Sequence, residues 1–113
     1  MLELKKNYFG ELEGYQEYSI EILKDGIQIG RADVIVPPEE ESDEVYLEWI
    51  GIDEEYRNRG YGSEAIKMLA KDYGFIYFAP CDEDNVRCYE RIAELYDTNA
   101  PEVDQGFGVY YIG

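Results

Sequence analysis

Residues 55–74 read EYRNRGYGSEAIKMLAKDYG, and the pattern of the chain changes within them. Gly60 and Gly62 stand one residue apart, with two arginines just before them. From Gly62 onward the apolar residues recur at the spacing of one helical face, and Gly74 suits the C-terminal cap of a helix. The stretch therefore predicts a glycine-containing turn that leads directly into an amphipathic helix.

The segments on either side of this helix have the patterns of strands. Before it, residues 45–52 (VYLEWIGI) are rich in aromatic and β-branched side chains. After it, residues 75–79 (FIYFA) are continuously apolar, which is typical of a strand covered on both faces. A strand, a helix and a strand within ~30 residues form a β-α-β unit, so the two strands are predicted to be parallel.

A hairpin is predicted ahead of this unit. Residues 15–23 (YQEYSIEIL) alternate apolar and polar side chains, and the Asp-Gly pair that follows favours a tight hairpin turn. Residues 27–36 form the partner strand. Their apolar positions shift from odd to even, which predicts a bulge near Gly30. A further short strand is expected at residues 2–8.

The last third of the chain is predicted to hold a second helix and a last strand. The helix starts near Asp84, which can cap it, and runs to about Tyr96. Three of its side chains are expected to be buried: Cys88, Ile92 and Leu95. Residues 106–112 (GFGVYYI) form the last strand. The fold class is therefore α/β, with a mixed sheet in which an antiparallel hairpin precedes a parallel crossover, within one domain of residues 1–113.

The charge of the chain is strongly negative and unevenly distributed. The sequence has 26 acidic and 10 basic residues, a net charge of −16, and six of the bases fall in residues 56–91. Residues 1–55 alone carry a net charge of −12. Nucleic acid is not an expected partner, because phosphate contacts need clustered lysines and arginines, whereas a cationic substrate would be attracted. Alternatively, the acidity only confers solubility.

The composition of the chain also indicates in which cellular compartment the protein is expected. No apolar run approaches the ~20 residues that cross a bilayer, so a membrane is not an expected partner. The N-terminus has no stretch that resembles a secretory signal. Cys81 and Cys88 lack a CxxC spacing. We therefore expect reduced thiols in a cytoplasmic protein.

The turn before the first helix has the chemistry of a pyrophosphate site. A helix start leaves backbone N–H groups without partners and carries a partial positive charge. Gly60 and Gly62 let an oxygen-rich ligand approach the backbone, and Arg57 and Arg59 add positive charge. Two alternatives stay open: a dinucleotide fingerprint with Ala65 as its last position, and a turn that only starts a helix. A Walker loop is excluded, because no Gly-Lys-Ser/Thr follows.

Two motifs resemble those of one known family. Arg57-x-x-Gly60-x-Gly62 matches the R/Q-x-x-G-x-G/A signature of the GNAT (Gcn5-related N-acetyltransferase) superfamily. The surrounding IGIDEEYRNRGYGSEAIK resembles the strand, loop and helix of that family nearly position by position. Residues 88–92 (CYERI) are similar to the family's F/L-Y-E-K-L segment. The resemblance covers about residues 45–96.

The resemblance implies that the protein binds acetyl-coenzyme A (acetyl-CoA) as co-substrate, without a metal, and acetylates an amine. The pyrophosphate would lie on the backbone amides of seven consecutive residues: Arg57, Asn58, Arg59, Gly60, Tyr61, Gly62 and Ser63. The pantetheine arm would pair with the strand around Ile50 and Ile52, where neighbouring parallel strands splay apart. The family usually has an asparagine seven residues before its tyrosine. That position is Asp82 here, so Asn85 is the candidate for this contact.

The resemblance also implies the catalytic groups. Tyr89 is the candidate general acid that protonates the departing thiolate, with an ordinary core residue beside Ile92 and Tyr96 as the alternative. Glu48 is the candidate base on the strand before the loop. A chain of waters could replace it, and Glu48 would then be an ordinary solvent-facing carboxylate. The sequence has no histidine, so the base must be a carboxylate, a tyrosine or water.

The chain departs from the family in its N-terminal part. Two helices normally separate the first strand from the hairpin, and here only residues 11–14 or so are available. We therefore expect these helices to be missing and the acceptor site to be open, or to be completed by a second copy in a homodimer. The expected acceptor is a cationic small molecule or a basic peptide. A catalytically silent acyl-CoA-binding or regulatory domain is the alternative, and an acidic protein that mimics DNA is a weaker one.

Overall fold

The computed structural model describes residues 2–96 and 103–113. In that part of the chain seven strands form one mixed sheet: β1 (Leu2–Leu12), β2 (Tyr15–Lys24), β3 (Ile27–Val36), β4 (Val45–Ile52), β5 (Ile76–Phe78), β6 (Glu94–Leu95) and β7 (Tyr110–Ile112). The helices are α1 (Tyr61–Tyr73) and α2 (Glu83–Glu90). The strand order is β1-β2-β3-β4-β5-β7-β6, and the predicted α/β class with a mixed sheet is confirmed.

Strands β1 to β4 form an antiparallel meander. The turn between β2 and β3 has positive φ angles at Asp25 (52°) and Gly26 (80°), as its sequence predicts. Ile22 pairs with Gly30 and the next residue pairs with Gln28, so Ile29 is an extra residue and the predicted bulge is confirmed. A two-residue turn joins β1 directly to β2, which leaves no room for helices between them.

The predicted β-α-β crossover is also confirmed. Strand β4 pairs with β5 in parallel, through Val45 with Ile76 and Tyr46 with Tyr77. The pairing stops there, although β4 continues to Ile52. The two strands therefore diverge beyond Tyr46 and leave one edge of β4 without a strand partner.

Both helices pack on one side of the sheet, which we call the helix side. The buried side chains of α1 are Ala65, Ile66, Leu69 and Ala70. The last three meet a row of buried residues from the strands: Ile20, Ala32, Val34, Leu47, Ile76 and Phe78. Ala65 packs in a second cluster with Leu2, Ile22 and Ile29. In α2, Tyr89 packs against the same cluster. The hydrophobic core therefore lies in a single layer between the sheet and the helices.

The other side of the sheet, the open side, carries side chains at the alternate positions. Directly paired residues run across six strands in one row: Glu17, Ile35, Tyr46, Tyr77, Tyr111 and Glu94. All of them are half-buried or exposed. The prediction that residues 75–79 are covered on both faces is therefore wrong within the described part of the chain, because the helices cover only one.

The second helix differs from its prediction. Asp82, rather than Asp84, is the cap residue, and its Oδ1 accepts a hydrogen bond from the Asn85 backbone N–H at 2.8 Å. The helix ends at Glu90, because residues 94–95 pair with β7 instead of continuing it. Leu95 is consequently 70% exposed, and Cys88 is exposed too, whereas both were expected to be buried. Ile92 does pack against the core.

The last strand is shorter than predicted. It comprises Tyr110–Ile112 rather than residues 106–112. Gly106 and Gly108 have φ angles of 100° and 89°, which are incompatible with an extended strand. Among the described residues, no helix is long and apolar enough to cross a membrane.

Candidate functional site

A groove of about 530 Å³ opens on the helix side, between the end of β4, the turn after it and the first residues of both helices. Ten of the twelve residues selected from the sequence line it: Ile50, Ile52, Arg57, Asn58, Gly60, Tyr61, Gly62, Ser63, Asn85 and Tyr89. The other two, Arg59 and Glu48, do not. Residues far apart in the sequence thus meet in one cavity, with the glycine turn at its centre.

The backbone of the turn presents donors to this groove. A 3-10 turn (Glu54–Tyr56) follows β4, and the left-handed residues Asn58 (φ 63°) and Gly60 (φ 82°) then direct the chain into α1. Gly60 is the cap residue and makes no side-chain cap hydrogen bond. The first intrahelical bond runs from the Glu64 N–H to the Gly60 carbonyl, at 3.0 Å. The N–H groups of residues 61–63 therefore lack intrahelical partners and carry the positive end of the helix dipole.

The two glycines are needed for different reasons. Gly60 has a positive φ angle, so the turn itself explains it. Gly62 lies within α1, and a Cβ atom there would meet only the Ile52 Cγ1, at an ordinary 3.7 Å. Packing within the described residues therefore does not require a glycine at position 62, and its bare backbone leaves room for a ligand to approach closely.

The two arginines do different things. The Arg57 Nε donates a hydrogen bond to the Ile52 carbonyl at 2.7 Å, so this side chain fastens the turn to the end of β4. The Arg59 guanidinium lies 6.0 Å from the centre of the Tyr56 ring, outside the groove lining. Both side chains are exposed. Their positive charges lie at the same end of the groove as the free amides.

Tyr89 stands at the opposite wall, on the last turn of α2. Its ring makes an edge contact with Phe78, at 4.6 Å between centroids, and it packs on the core. Burial raises the pKa of Tyr89 to about 12, with smaller contributions from Cys81, Cys88 and Asp82. The hydroxyl is therefore protonated at neutral pH. Tyr89 is a core residue by its ring and also lines the groove, so the two interpretations of it are compatible.

Asn85 and five further residues complete the wall. The Asn85 Nδ2 lies 3.4 Å from the Cys81 Sγ, while its backbone N–H is bound by Asp82. The lining residues that were not selected from the sequence are Gly51, Tyr56, Ile66, Asp84 and Cys88. Cys88 was predicted to be buried, whereas it is exposed and lines the groove. Ile66 is buried in the core and also lines the groove, because a residue on the core side of a helix near its start faces the adjacent groove as well.

Glu48 lies outside the groove. Asp33 pairs with Trp49 and Val34 pairs with Leu47, so Glu48 is an extra residue, a bulge in β4. It is exposed and lines a separate hollow of about 240 Å³ with Glu17, Asp33 and Ile35, which belong to the open side. The two catalytic candidates therefore occupy different cavities.

Comparisons with known proteins agree with this architecture. The profile of the Acetyltransferase (GNAT) family matches residues 2–93. A GNAT family acetyltransferase from Elizabethkingia anophelis, solved with acetyl-CoA bound, superposes with a TM-score of 0.61 at 11% identity, over 98% of this chain and 97% of that one. No curated protein sequence matches the chain.

Two other solved structures are similar to this chain, and both belong to proteins that are longer than it. The PaiA N-acetyltransferase from Thermoplasma acidophilum, in complex with coenzyme A, has a TM-score of 0.59 and 12% identity, with 84% of this chain and 59% of that chain covered. Arabidopsis thaliana Naa50, in complex with the bisubstrate analogue CoA-Ac-MVNAL, has a TM-score of 0.57 and 17% identity. The superposition covers 82% of this chain and 69% of that one. At these identities the likeness is one of fold. The chain thus spans 59% of the length of the Thermoplasma enzyme.

Proposed function

Because the chain belongs to the Acetyltransferase (GNAT) family, we propose that it transfers the acetyl group of acetyl-CoA to an amine. The observation that carries the proposal is the groove in which the uncapped start of α1 meets the free edge of β4. The first supplies donors for a pyrophosphate, and the second supplies backbone partners for an extended pantetheine arm.

The cofactor would lie along β4. Its pyrophosphate sits on the backbone amides from Arg57 to Ser63, and Arg59 adds charge from outside the groove. The pantetheine arm then follows Ile50 and Ile52 toward Tyr46, where β4 and β5 come together. This path brings the thioester to the part of the groove that Tyr89 and Asn85 line.

The acetyl transfer then needs a free amine and a stabilised leaving group. The amine nitrogen attacks the thioester carbonyl, a C–N bond forms, and the C–S bond breaks. The Tyr89 hydroxyl donates a hydrogen bond to the departing sulfur, which leaves as a thiolate. Its raised pKa keeps that hydrogen in place at neutral pH, and a thiolate with an ordinary pKa of about 8.5 accepts the hydrogen bond. The amine proton leaves toward Glu48 or water.

Glu48 can take that proton only if the amine arrives from the open side. The cofactor would occupy the helix side, so the amine would have to reach the thioester through the gap that opens where β4 and β5 stop pairing. The carboxylates of Glu17, Asp33 and Glu48 converge on the open-side hollow, which favours a cationic acceptor. Asp33 is partly neutralised, since the Arg31 Nη2 lies 3.3 Å from its Oδ2.

One observation favours the alternative of a silent acyl-CoA-binding domain. The two-residue turn between β1 and β2 leaves the open side without helices in the described part of the chain, so no element encloses an acceptor. Cys81 and Cys88 are both free thiols, which agrees with a reducing cytoplasm under either function.

Mass spectrometry of the products separates the two functions. The protein is mixed with acetyl-CoA and either spermidine or a lysine-containing peptide, and the acetylated amine is measured against a blank without protein. We expect catalytic transfer, with kcat/KM lowered about tenfold in Glu48→Gln, because glutamine keeps the shape but cannot accept the proton. Binding of acetyl-CoA without transfer to any amine would establish the silent domain instead.

A further inference from the structure

The hollow on the open side receives one extra residue from each of two strands. In β1, the residues before and after Phe9 pair with the adjacent residues Tyr18 and Glu17, so Phe9 is a bulge. Glu48 is the corresponding bulge in β4. Both side chains line the hollow of about 240 Å³. Bulges re-aim side chains and are over-represented next to active sites, so two of them at one cavity indicate a binding site.

The Phe9 ring does not contribute to the hydrophobic core. It is 78% exposed, the highest value among the large apolar side chains of the described residues, and it packs on neither buried cluster. Gly10 pairs directly with Glu17 and has no side chain, so it leaves the Glu17 carboxylate open beside the ring. A ring face beside a carboxylate suits an ammonium group, which both of them attract.

The unpaired negative charge of the hollow lies at its two ends. Asp33, in the middle, is partly neutralised, since the Arg31 Nη2 lies 3.3 Å from its Oδ2. The same guanidinium lies 5.0 Å from the centre of the Trp49 ring, which holds it in place. Within residues 2–96 and 103–113, neither Glu17 nor Glu48 forms an ion pair with a lysine or arginine.

The distance between these two carboxylates limits what can bind to both. Glu17 is in β2 and Glu48 is in β4, so the ~4.8 Å spacing of neighbouring strands separates them by on the order of 10 Å. The apolar side chain of Ile35, on the strand between them, also lines the hollow. A chain of about five methylenes with an ammonium group at each end spans this distance and donates a hydrogen bond to each carboxylate.

Building on the proposed function, we propose that the acceptor is a linear alkyl amine with a second ammonium group, and that Phe9 and Glu17 select it. The reacting amine lies at Glu48, and the methylene chain crosses β3. The second ammonium group lies between the Glu17 carboxylate and the Phe9 ring. A monoamine would leave the Glu17 end of the hollow empty. Phe9 and Glu17 are therefore specificity-determining residues, remote from the bond that forms.

Two amines with the same five-carbon chain test the proposal in the acetyl-CoA assay: the diamine cadaverine and the monoamine pentylamine. Glu17→Gln keeps the shape and removes the charge, so the KM for cadaverine should rise about tenfold with kcat within twofold. The KM for pentylamine should rise less than threefold. Glu11→Gln is the matched control, an exposed β1 carboxylate outside the hollow, and should change neither KM more than twofold. Equal rises for both amines in Glu17→Gln would overturn the selection.

Variants of Phe9 test the ring separately. Phe9→Ala removes the ring face and should raise the KM for cadaverine about fivefold, whereas Phe9→Tyr keeps a ring and should stay within twofold of the native protein. Leu12→Ala is the control, because Leu12 is 70% exposed on the same strand but lies outside the hollow. The same rise in Phe9→Ala and Leu12→Ala would show that the ring does not select the amine.

Binding without chemistry separates this inference from the proposed function. Calorimetric titration with cadaverine, in the presence of coenzyme A, should show about tenfold weaker binding in Glu17→Gln than in Glu11→Gln. That difference without acetyl transfer to any amine would refute the proposed function and keep the diamine site. Equal kcat/KM of the native protein for both amines would keep the proposed function and overturn the diamine site. More efficient acetylation of a lysine-containing peptide than of cadaverine would overturn it as well.

Discussion

The two sides of strand β4 are built in different ways. On the helix side the groove uses backbone: uncapped amides of α1, a free strand edge and a short contiguous motif from Arg57 to Ser63. On the open side the surface uses side chains from several strands, with carboxylates and aromatic rings gathered by pairing in the sheet. A cofactor shared by many enzymes can be held by backbone, whereas an acceptor is selected by side chains.

The net charge of the chain also differs between the segment that forms the groove and the segment that forms most of the open side. Residues 56–91, which form most of the groove, hold six bases and six acids, whereas residues 1–55 have a net charge of −12. The proposed polyanionic cofactor and the proposed cationic acceptor would thus meet different surfaces on one acidic protein.

The largest effect is expected at Gly62. Gly62→Val places methyl groups where the pyrophosphate would approach the backbone, and we expect the Kd for acetyl-CoA to rise about a hundredfold. Calorimetry measures it. The matched control is Gly10→Val, at a strand position where a Cβ meets nothing within 4 Å. It should leave the Kd within twofold. Equal affinities of the two variants would place the cofactor elsewhere.

The next effect separates binding from chemistry on the helix side. Tyr89→Phe removes the hydrogen donated to the departing sulfur, so kcat should fall roughly ten- to a hundredfold while the Kd for acetyl-CoA stays within twofold. Steady-state kinetics measure the first and calorimetry the second. Tyr73→Phe is the control, since the pKa of Tyr73 is also about 12 because of burial but its ring lies outside the groove. A similar loss of kcat in both variants would indicate that Tyr89 acts only as a core residue.

A smaller effect contrasts two tyrosines of similar pKa. Burial is the main cause of the raised pKa of Tyr89, whereas the hydrogen bond with Glu44 is the main cause for Tyr96, and both reach about 12. Glu44→Gln keeps an acceptor but removes the negative charge that strengthens this hydrogen bond, so it should lower the pKa of Tyr96 toward 10 and leave that of Tyr89 unchanged. Alkaline spectrophotometric titration against Tyr96→Phe and Tyr89→Phe assigns the two steps. If Glu44→Gln shifts neither, the contact is absent in solution.

The same pKa values predict how stability depends on pH. Between about 10, the ordinary tyrosine pKa, and about 12, the unfolded chain has lost protons that the folded protein keeps. The free energy of unfolding is then fully retained below pH 10 and declines as the pH rises toward 12. Urea titrations across this window should show the decline, and Glu44→Gln should make it shallower.

The smallest effect concerns the two helix starts. The first helix begins at Gly60 without a side-chain cap, whereas Asp82 caps the second. Asp82→Ala should lower the free energy of unfolding by about 1 kcal/mol. Asp82→Asn, which keeps a cap acceptor, should cost less than half of that in the same urea titration. Equal losses would show that the carboxylate acts through its charge and not as a cap.

Much of the helix side could be predicted from the sequence, because its determinants are local. Strand β4 matches residues 45–52, and the cap at Gly74 and the helix after Gly60 follow from short motifs. Ten predicted residues then line one groove, since most of them are contiguous. Their roles remain predictions.

The open side could not be predicted in this way. Apolar positions in β4 shift from Val45 and Leu47 to Ile50 and Ile52, the same signal that indicated the bulge at Gly30. Trp49 is also apolar, so Trp49 and Ile50 together continue both the odd and the even pattern. The sequence therefore did not reveal that Glu48 is the extra residue. The early end of α2 depends on pairing with β7, a contact between distant segments that no local pattern contains.

The central claim is that the cofactor and the acceptor occupy opposite sides of β4, with the pyrophosphate on the start of α1. Amide NMR spectra during titration with coenzyme A test it most directly. We predict that the largest shifts occur at Tyr61, Gly62 and Ser63, while the open-side residues Glu17 and Asp33 stay nearly unchanged. Shifts concentrated at Glu17 and Asp33, with the amides of residues 61–63 unmoved, would contradict it.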